Sequence, residues 1–330
     1  MSARKIWLLK LVLPGRFGKA VTGMLLLCLL LPLFYLGSID YGSEPTPYLF
    51  FSLVIAYIIP VFSHITARAT EAFEQLRPLL TLDAESFQRQ LHRLSAPPAR
   101  LVVIDLCVGT VAGFVHMSFV SGSVSAALHR LVPGAPGFAS MVGTLLVWIV
   151  MTTVVSMLVQ QALVFSRAGR EHLRFSLLNS HGLLAFGRVS SSASLALLGA
   201  LALFPLIGLE GGMDMKEILP GAVALSVPLI VLFIMPVWPV HRRLAAMKSE
   251  QLDAANSRIG AYLAQEHDAT RRREFDPAFT ALLVYRREIA ETATWPFDVS
   301  NASRLAFYLF IPPLTWVAAA LMENLVDSVL

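Results

Sequence analysis

Residues 141–165 read MVGTLLVWIVMTTVVSMLVQQALVF, twenty-five residues without one charge. At about 1.5 Å of rise per residue, a helix of that length exceeds the roughly 30 Å hydrocarbon core of a bilayer. Six further stretches share its character: 21–39, 47–66, 101–121, 191–209, 219–240 and 305–325, none containing Lys or Arg. Seven such spans predict an all-α fold, a polytopic transmembrane helix bundle.

Composition agrees. Of 330 residues, 56% are hydrophobic and 15% charged, where a soluble domain carries about 25% charge. Mean hydropathy is +0.66. These values exclude an ordinary soluble globule and a disordered chain.

The loops carry the threading code. Basic residues cluster in 1–20, 67–100, 166–190 and 241–304, which together hold 24 of the 26. The alternate loops hold Arg130 and Lys216. By the positive-inside rule the basic loops are cytoplasmic, so the expected site is the cell (inner) membrane with the N-terminus inside. The net charge of +4 reflects this bias rather than nucleic-acid binding, since no aromatic-interleaved basic patch accompanies it. Span one is read as a membrane helix rather than a signal peptide, because no A-x-A-like cleavage site follows its long apolar run.

The organisation is then a cytoplasmic or interfacial segment 1–20, a transmembrane hairpin 21–66, cytoplasmic helices 67–100, a second hairpin 101–165, a loop 166–190, a third hairpin 191–240, a cytoplasmic helical hairpin 241–304 and a C-terminal membrane segment 305–330. Ile6–Val12, with Trp7 between Lys5 and Lys10, suits an in-plane interfacial helix. In the last segment, Pro312-Pro313 predicts a kinked crossing, with a re-entrant hairpin as the alternative.

Two cytoplasmic stretches are amphipathic. Asp83 is placed to cap a helix that presents Phe87, Leu91 and Leu94, with Leu82 and Phe87 as a hydrophobic staple. Leu252, Ala255, Ile259 and Leu263 share one side of a second helix running to about residue 273. Asp276-Pro277 then opens a third helix, to about Thr294, carrying Leu282, Tyr285 and Ile289. Through 241–294 the chain offers a surface for a second copy of itself or a cytoplasmic protein partner. A similarity between Glu74-Gln75-Leu76-Arg77 and Glu171-His172-Leu173-Arg174 is too short to establish internal duplication.

Inside the membrane the chemistry is sparse. Asp105 is the one acid clearly within a span. At 100° per residue it shares a narrow arc with Gly109, Ala112 and His116, and Gly109 and Gly113 form a G-x-x-x-G pair. This small, polar stripe places span three at the bundle centre. Counting inward from the span ends puts Gln160 and Gln161 at the depth of Asp105, as hydrogen-bond donors to it. Asp105 is then either a polar clasp between spans three and four or an ion or proton site with His116 as a second station. Pro60, Pro205, Pro220, Pro228 and Pro236 interrupt other spans and free backbone carbonyls.

No nucleotide-binding, hydrolase, metalloprotease or Cys-x-x-Cys motif occurs, and the eight histidines have no metal-ligand spacing. Cys28 and Cys107 read as small buried residues. No cofactor, metal or catalytic residue is expected. The reading is a non-enzymatic multi-pass protein in the lipid bilayer, a scaffold or signal-coupling component acting through its cytoplasmic helices. The alternative is a channel or secondary transporter built on Asp105 and the proline-broken spans.

Overall fold

The computed structural model describes residues 6–40, 47–175, 177, 181–210, 215–266 and 277–296. The chain runs α1 (Trp7–Lys10), α2 (Gly18–Asp40), α3 (Tyr48–Gln75), α4 (Ala84–Arg93), α5 (Ala99–Val120), α6 (Val124–His129), α7 (Phe138–Glu171), α8 (Leu184–Leu201), α9 (Met215–Ile234), α10 (Trp238–Glu266) and α11 (Pro277–Glu291). Among the described residues it is all-helical apart from a lone antiparallel bridge between Leu80 and Leu173.

Six described helices are long and apolar enough to cross a membrane, and they fall on the first six expected spans. The protein is accordingly a multi-pass membrane protein. The expected seventh span, 305–325, lies outside the described residues, as do Asp276 and the arginines at 271–273. Large apolar side chains face outward along α2 (Met24, Leu25, Leu29), α5 (Val103, Val111, Val115) and α9 (Val223, Val227, Ile230). In water such a belt would drive aggregation, whereas hydrocarbon solvates it.

The centre of the bundle is not where the polar stripe suggested. In α3 and in α8, 61% of the most apolar window is buried, against 22% in α5. α3 packs on α2, α7 and α8, and α7 packs on α3, α5 and α9. α5 is therefore peripheral. Its small residues do not mark the bundle axis; they let it lie close against α7 while its valines face lipid. The cysteines also differ from expectation, since Cys28 and Cys107 are exposed on these outer helices.

Two apolar cores stack along α3 and α7. One joins Phe50, Phe51, Phe62, Met157, Leu197 and Leu225 in the membrane half. The other joins Phe73, Phe87, Phe165, Leu173, Phe186 and Val240, where the C-terminal parts of α3 and α7 meet α4, α8 and α10. α4 forms there as the sequence predicts: the Ser86 amide donates to the Asp83 carboxylate at 3.0 Å, and Leu82, Phe87 and Leu94 are buried. α1 is shorter than the expected interfacial helix, and Ile6 and Leu8 are buried against protein.

The expected helical hairpin is also formed. α10 and α11 lie side by side, with Tyr262 stacked on Phe279 at 4.7 Å and Arg286 donating to Asn256 at 2.7 Å. Lys248 donates to the carbonyls of Ala290 and Thr292, at 2.6 and 2.9 Å, and so caps the C-terminal end of α11. The inward face of α10 carries Ala255 and Ile259 as expected, but ends on Tyr262, leaving Leu263 45% exposed. Pro277 opens α11, which ends at Glu291 rather than Thr294. Between α9 and α10 the helix breaks at Met235–Val237 around Pro236, and the Phe233 carbonyl accepts from the Ser190 hydroxyl.

The chain just after α3 meets the chain just after α7. Thr81 donates its amide to His172, and Arg174 donates its amide to Leu79, at 2.8 and 2.7 Å. This small ladder ties the ends of α3 and α7 together.

Candidate functional site

The seam between α5 and α7 is built by glycine. A Cβ on Gly109 would sit 2.7 Å from the Ile149 Cα, and one on Gly113 would sit 3.2 Å from the Leu145 Cα. Only hydrogen at these positions allows the backbones to come this close. Asp105, Gly109, Gly113 and Met117, each four residues on, are the buried residues of α5 and form one line along this seam.

These contacts set an antiparallel register: Gly109 against Ile149, Gly113 against Leu145. By that register Asp105 falls opposite Thr153, and Ser156, one turn further along α7, is the polar side chain beside it. The second carboxylate oxygen, Oδ2, is buried without a hydrogen-bond partner. The site is a close helix–helix contact enclosing one carboxyl group.

The expected glutamine donors are not part of it. Gln161 donates from Nε2 to the Thr66 hydroxyl at 3.0 Å and to the Leu94 carbonyl at 2.9 Å. It therefore ties α7 to α3 and to the end of α4. The Gln160 Nε2 atom is buried without a hydrogen-bond partner. Both lie four to five residues past Ser156, about 6–7.5 Å further along the axis. Counting from the edge of the apolar run misplaced them because α7 continues to Glu171.

His116 lies at the other end of the seam. Its Nδ1 accepts from the Trp148 indole N–H at 2.9 Å, and the two rings meet edge to face at 5.8 Å. Accepting at Nδ1 puts the proton of the neutral ring on Nε2. Eleven residues, about 16 Å of rise, separate it from Asp105. The two do not form one site.

His116 instead lines a cavity of about 310 Å³. Its polar lining side chains include Arg130, just after α6, and Ser140 and Thr144 in the first two turns of α7. α3, α8 and α9 contribute apolar walls, including Phe50, Phe51, Ala200 and Leu225. On α5 and α7 the lining runs from His116 to Val120 and from Ser140 to Met151, which stops short of Asp105 and Ser156. Arg130, Trp148 and the aromatic wall were not legible as a site in the sequence, because they are scattered along the chain from Phe50 to Phe204. The isolated Arg130 in an otherwise basic-free loop was the one available signal.

Among the described residues, no group of three or more His, Cys, Asp or Glu side chains is placed to hold a metal ion. No family model, curated protein or solved structure matches the chain.

Proposed function

We propose that this protein is a non-catalytic scaffold or signal-coupling component of the cell (inner) membrane, with its N-terminus and the α10–α11 hairpin in the cytoplasm. The hairpin carries this reading. Its base is anchored in the core through Val240, Leu244 and Ile289, while Leu283 and Val284 on α11 are 43% and 54% exposed. A rigidly anchored helix pair that displays apolar side chains beside charged ones suits engagement of a second copy or a cytoplasmic protein.

The transporter reading receives less support from the same geometry. Asp105 is closed against α7, and the cavity ends before reaching it. A coupling-ion site needs access from at least one side of the membrane.

The test pairs two measurements. A photocrosslinker at position 284 in native membranes is expected to give a discrete protein adduct, either with a second copy or a different chain. The same probe at lipid-facing position 111 should give none. Proteoliposomes should show no ion flux that depends on Asp105, comparing wild type with Asp105→Asn. Absence of adducts together with flux lost in Asp105→Asn would replace the scaffold by a transporter.

A further inference from the structure

We infer that the outward face of α9 is the docking surface for the chain's own C-terminal segment, 305–325, which crosses the membrane antiparallel to α9 along that face. Neither the face nor the segment belongs to the partner surface proposed above, so the assignment holds whatever the hairpin engages. Two placements carry it: where α11 returns the chain, and what α9 exposes there.

Leu219, Val223, Val227, Ile230 and Ile234 are between 46% and 60% exposed. Spacings of four, four, three and four residues put them on one face of α9. Ser226 beside them donates its hydroxyl to the Ala222 carbonyl of the same helix at 2.7 Å, so the face is apolar. The other side of α9 is filled. Ala222, Leu225 and Leu232 are buried there, and the helix packs on α5, α7 and α8.

After α11 the chain comes back to the foot of this face. Trp295 stacks on His241 at 3.9 Å and lies 6.4 Å from Trp238, in the first turn of α10. The His241 ring donates from Nδ1 to the Thr294 carbonyl at 3.1 Å and so holds this stretch in place. α9 ends at Ile234 and α10 begins at Trp238, so Trp295 stands at the end of α9 that carries Ile234. The apolar run begins at Leu305, and residues 297–304 join it to Pro296. At no more than about 3.5 Å per residue, that linker spans under about 30 Å. The exposed helix face nearest the anchor is that of α9, since α2 packs away from it on α3 and α7.

Hydrocarbon solvates valine and isoleucine on α5 equally well. What sets α9 apart is the tether. A linker this short holds the segment beside α9 at high effective concentration, so modest packing suffices to displace lipid. The residue types also match. Laying the apolar runs 219–240 and 305–325 end to end in opposite directions brings Ala318, Ala319 and Ala320 to the level of Val223 to Val227. Alanines let two helix backbones approach closely, and valines already fixed at χ1 lose little freedom on packing. Both feet of the α10–α11 hairpin then enter the membrane side by side.

The experiment uses the full chain in native membranes, with Cys28 and Cys107 changed to Ala and a specific protease site placed between α10 and α11. Val223→Cys is combined in turn with cysteine at 319, 320, 321 or 322, and Ile234→Cys with cysteine at 308, 309, 310 or 311, so that each set scans one helical turn. Val111→Cys, on the lipid-facing side of α5, is the control with 319–322. After oxidation with copper phenanthroline and cleavage, at least one pair in each α9 set is expected to hold the two fragments together until reductant is added, with loss of most of the free C-terminal fragment. The control should release it. Linkage in the Ile234 set alone overturns the crossing along α9, because a re-entrant hairpin stops at that level. Disulfide-linked dimers through Val223 or Ile234 give the face to a second copy, and no linkage in either set gives it to lipid; both overturn the assignment. A photocrosslinker at position 227 supplies a readout that needs no cysteine pair. Adducts within 305–325 support the assignment, and adducts with lipid alone overturn it.

Discussion

The Trp148 indole donates to His116 across 2.9 Å, and this bond joins α5 to α7 at the edge of the cavity. It assigns the proton of His116 to the nitrogen not facing Trp148, and so decides what the histidine presents. Trp148→Phe keeps an aromatic ring and loses the donor. The variant is expected to be less stable by about 1 kcal/mol, the usual net value of such a bond. Thermal unfolding in detergent measures the loss, and His116→Phe in the Trp148→Phe background should add less than it does alone.

Gly109 is the tightest point of the α5–α7 seam. Gly109→Ala places a methyl 2.7 Å from the Ile149 backbone, which cannot move aside as a flexible side chain would. Overpacking of this kind costs about 1–3 kcal/mol. The melting temperature should fall, while Val111→Ala, at a position 62% exposed to lipid, should leave it nearly unchanged.

Gln161 and Gln160 are neighbours with opposite expectations. Gln161→Leu strands the buried Leu94 carbonyl and the Thr66 hydroxyl, at a cost of about 1–3 kcal/mol. Gln160→Leu removes an amide nitrogen that is buried without a hydrogen-bond partner, and should be neutral or stabilising. Urea unfolding in mixed micelles compares the pair. A double-mutant cycle between Asp105 and Gln161 should show additivity, since the two share no hydrogen bond.

Asp83 confers pH dependence on α4. Hydrogen bonds from the Ser86 side chain and amide hold its carboxyl below the usual carboxylate range. A depressed folded-state value means the contribution is fully present above the unfolded value, about 3.9, and is lost as pH falls through the folded one. Exchange protection of the α4 amides, corrected for intrinsic rate, should therefore hold from neutral pH to about pH 4 and decline below it. Asp83→Asn keeps a capping oxygen and should flatten the profile.

Much of this architecture was legible locally. A run such as 141–165 specifies a membrane helix by itself, because no partner is needed to satisfy its backbone or solvate its side chains. The Asp83 cap and the alternating Ala255 and Ile259 positions of α10 are likewise short-range. Less legible was the place of span three. A stripe of Asp105, Gly109 and Gly113 shows that one face meets a helix, yet is silent on whether the other faces meet helices or lipid, since both accept valine.

The site shows the same division. Sequence alone determined that the chain is a helical membrane protein, that Asp105 is an anomaly within a span, and that glycines line one face of its helix. The tertiary structure decided that Ser156, not Gln161, faces that acid, and that His116 belongs to a cavity with Arg130 and Phe204 rather than to a relay with Asp105. The reason is geometric. Helical periodicity orients a side chain around its own axis, but axial register between two helices is set by packing contacts such as Gly109 on Ile149, and these exist only once the helices have met.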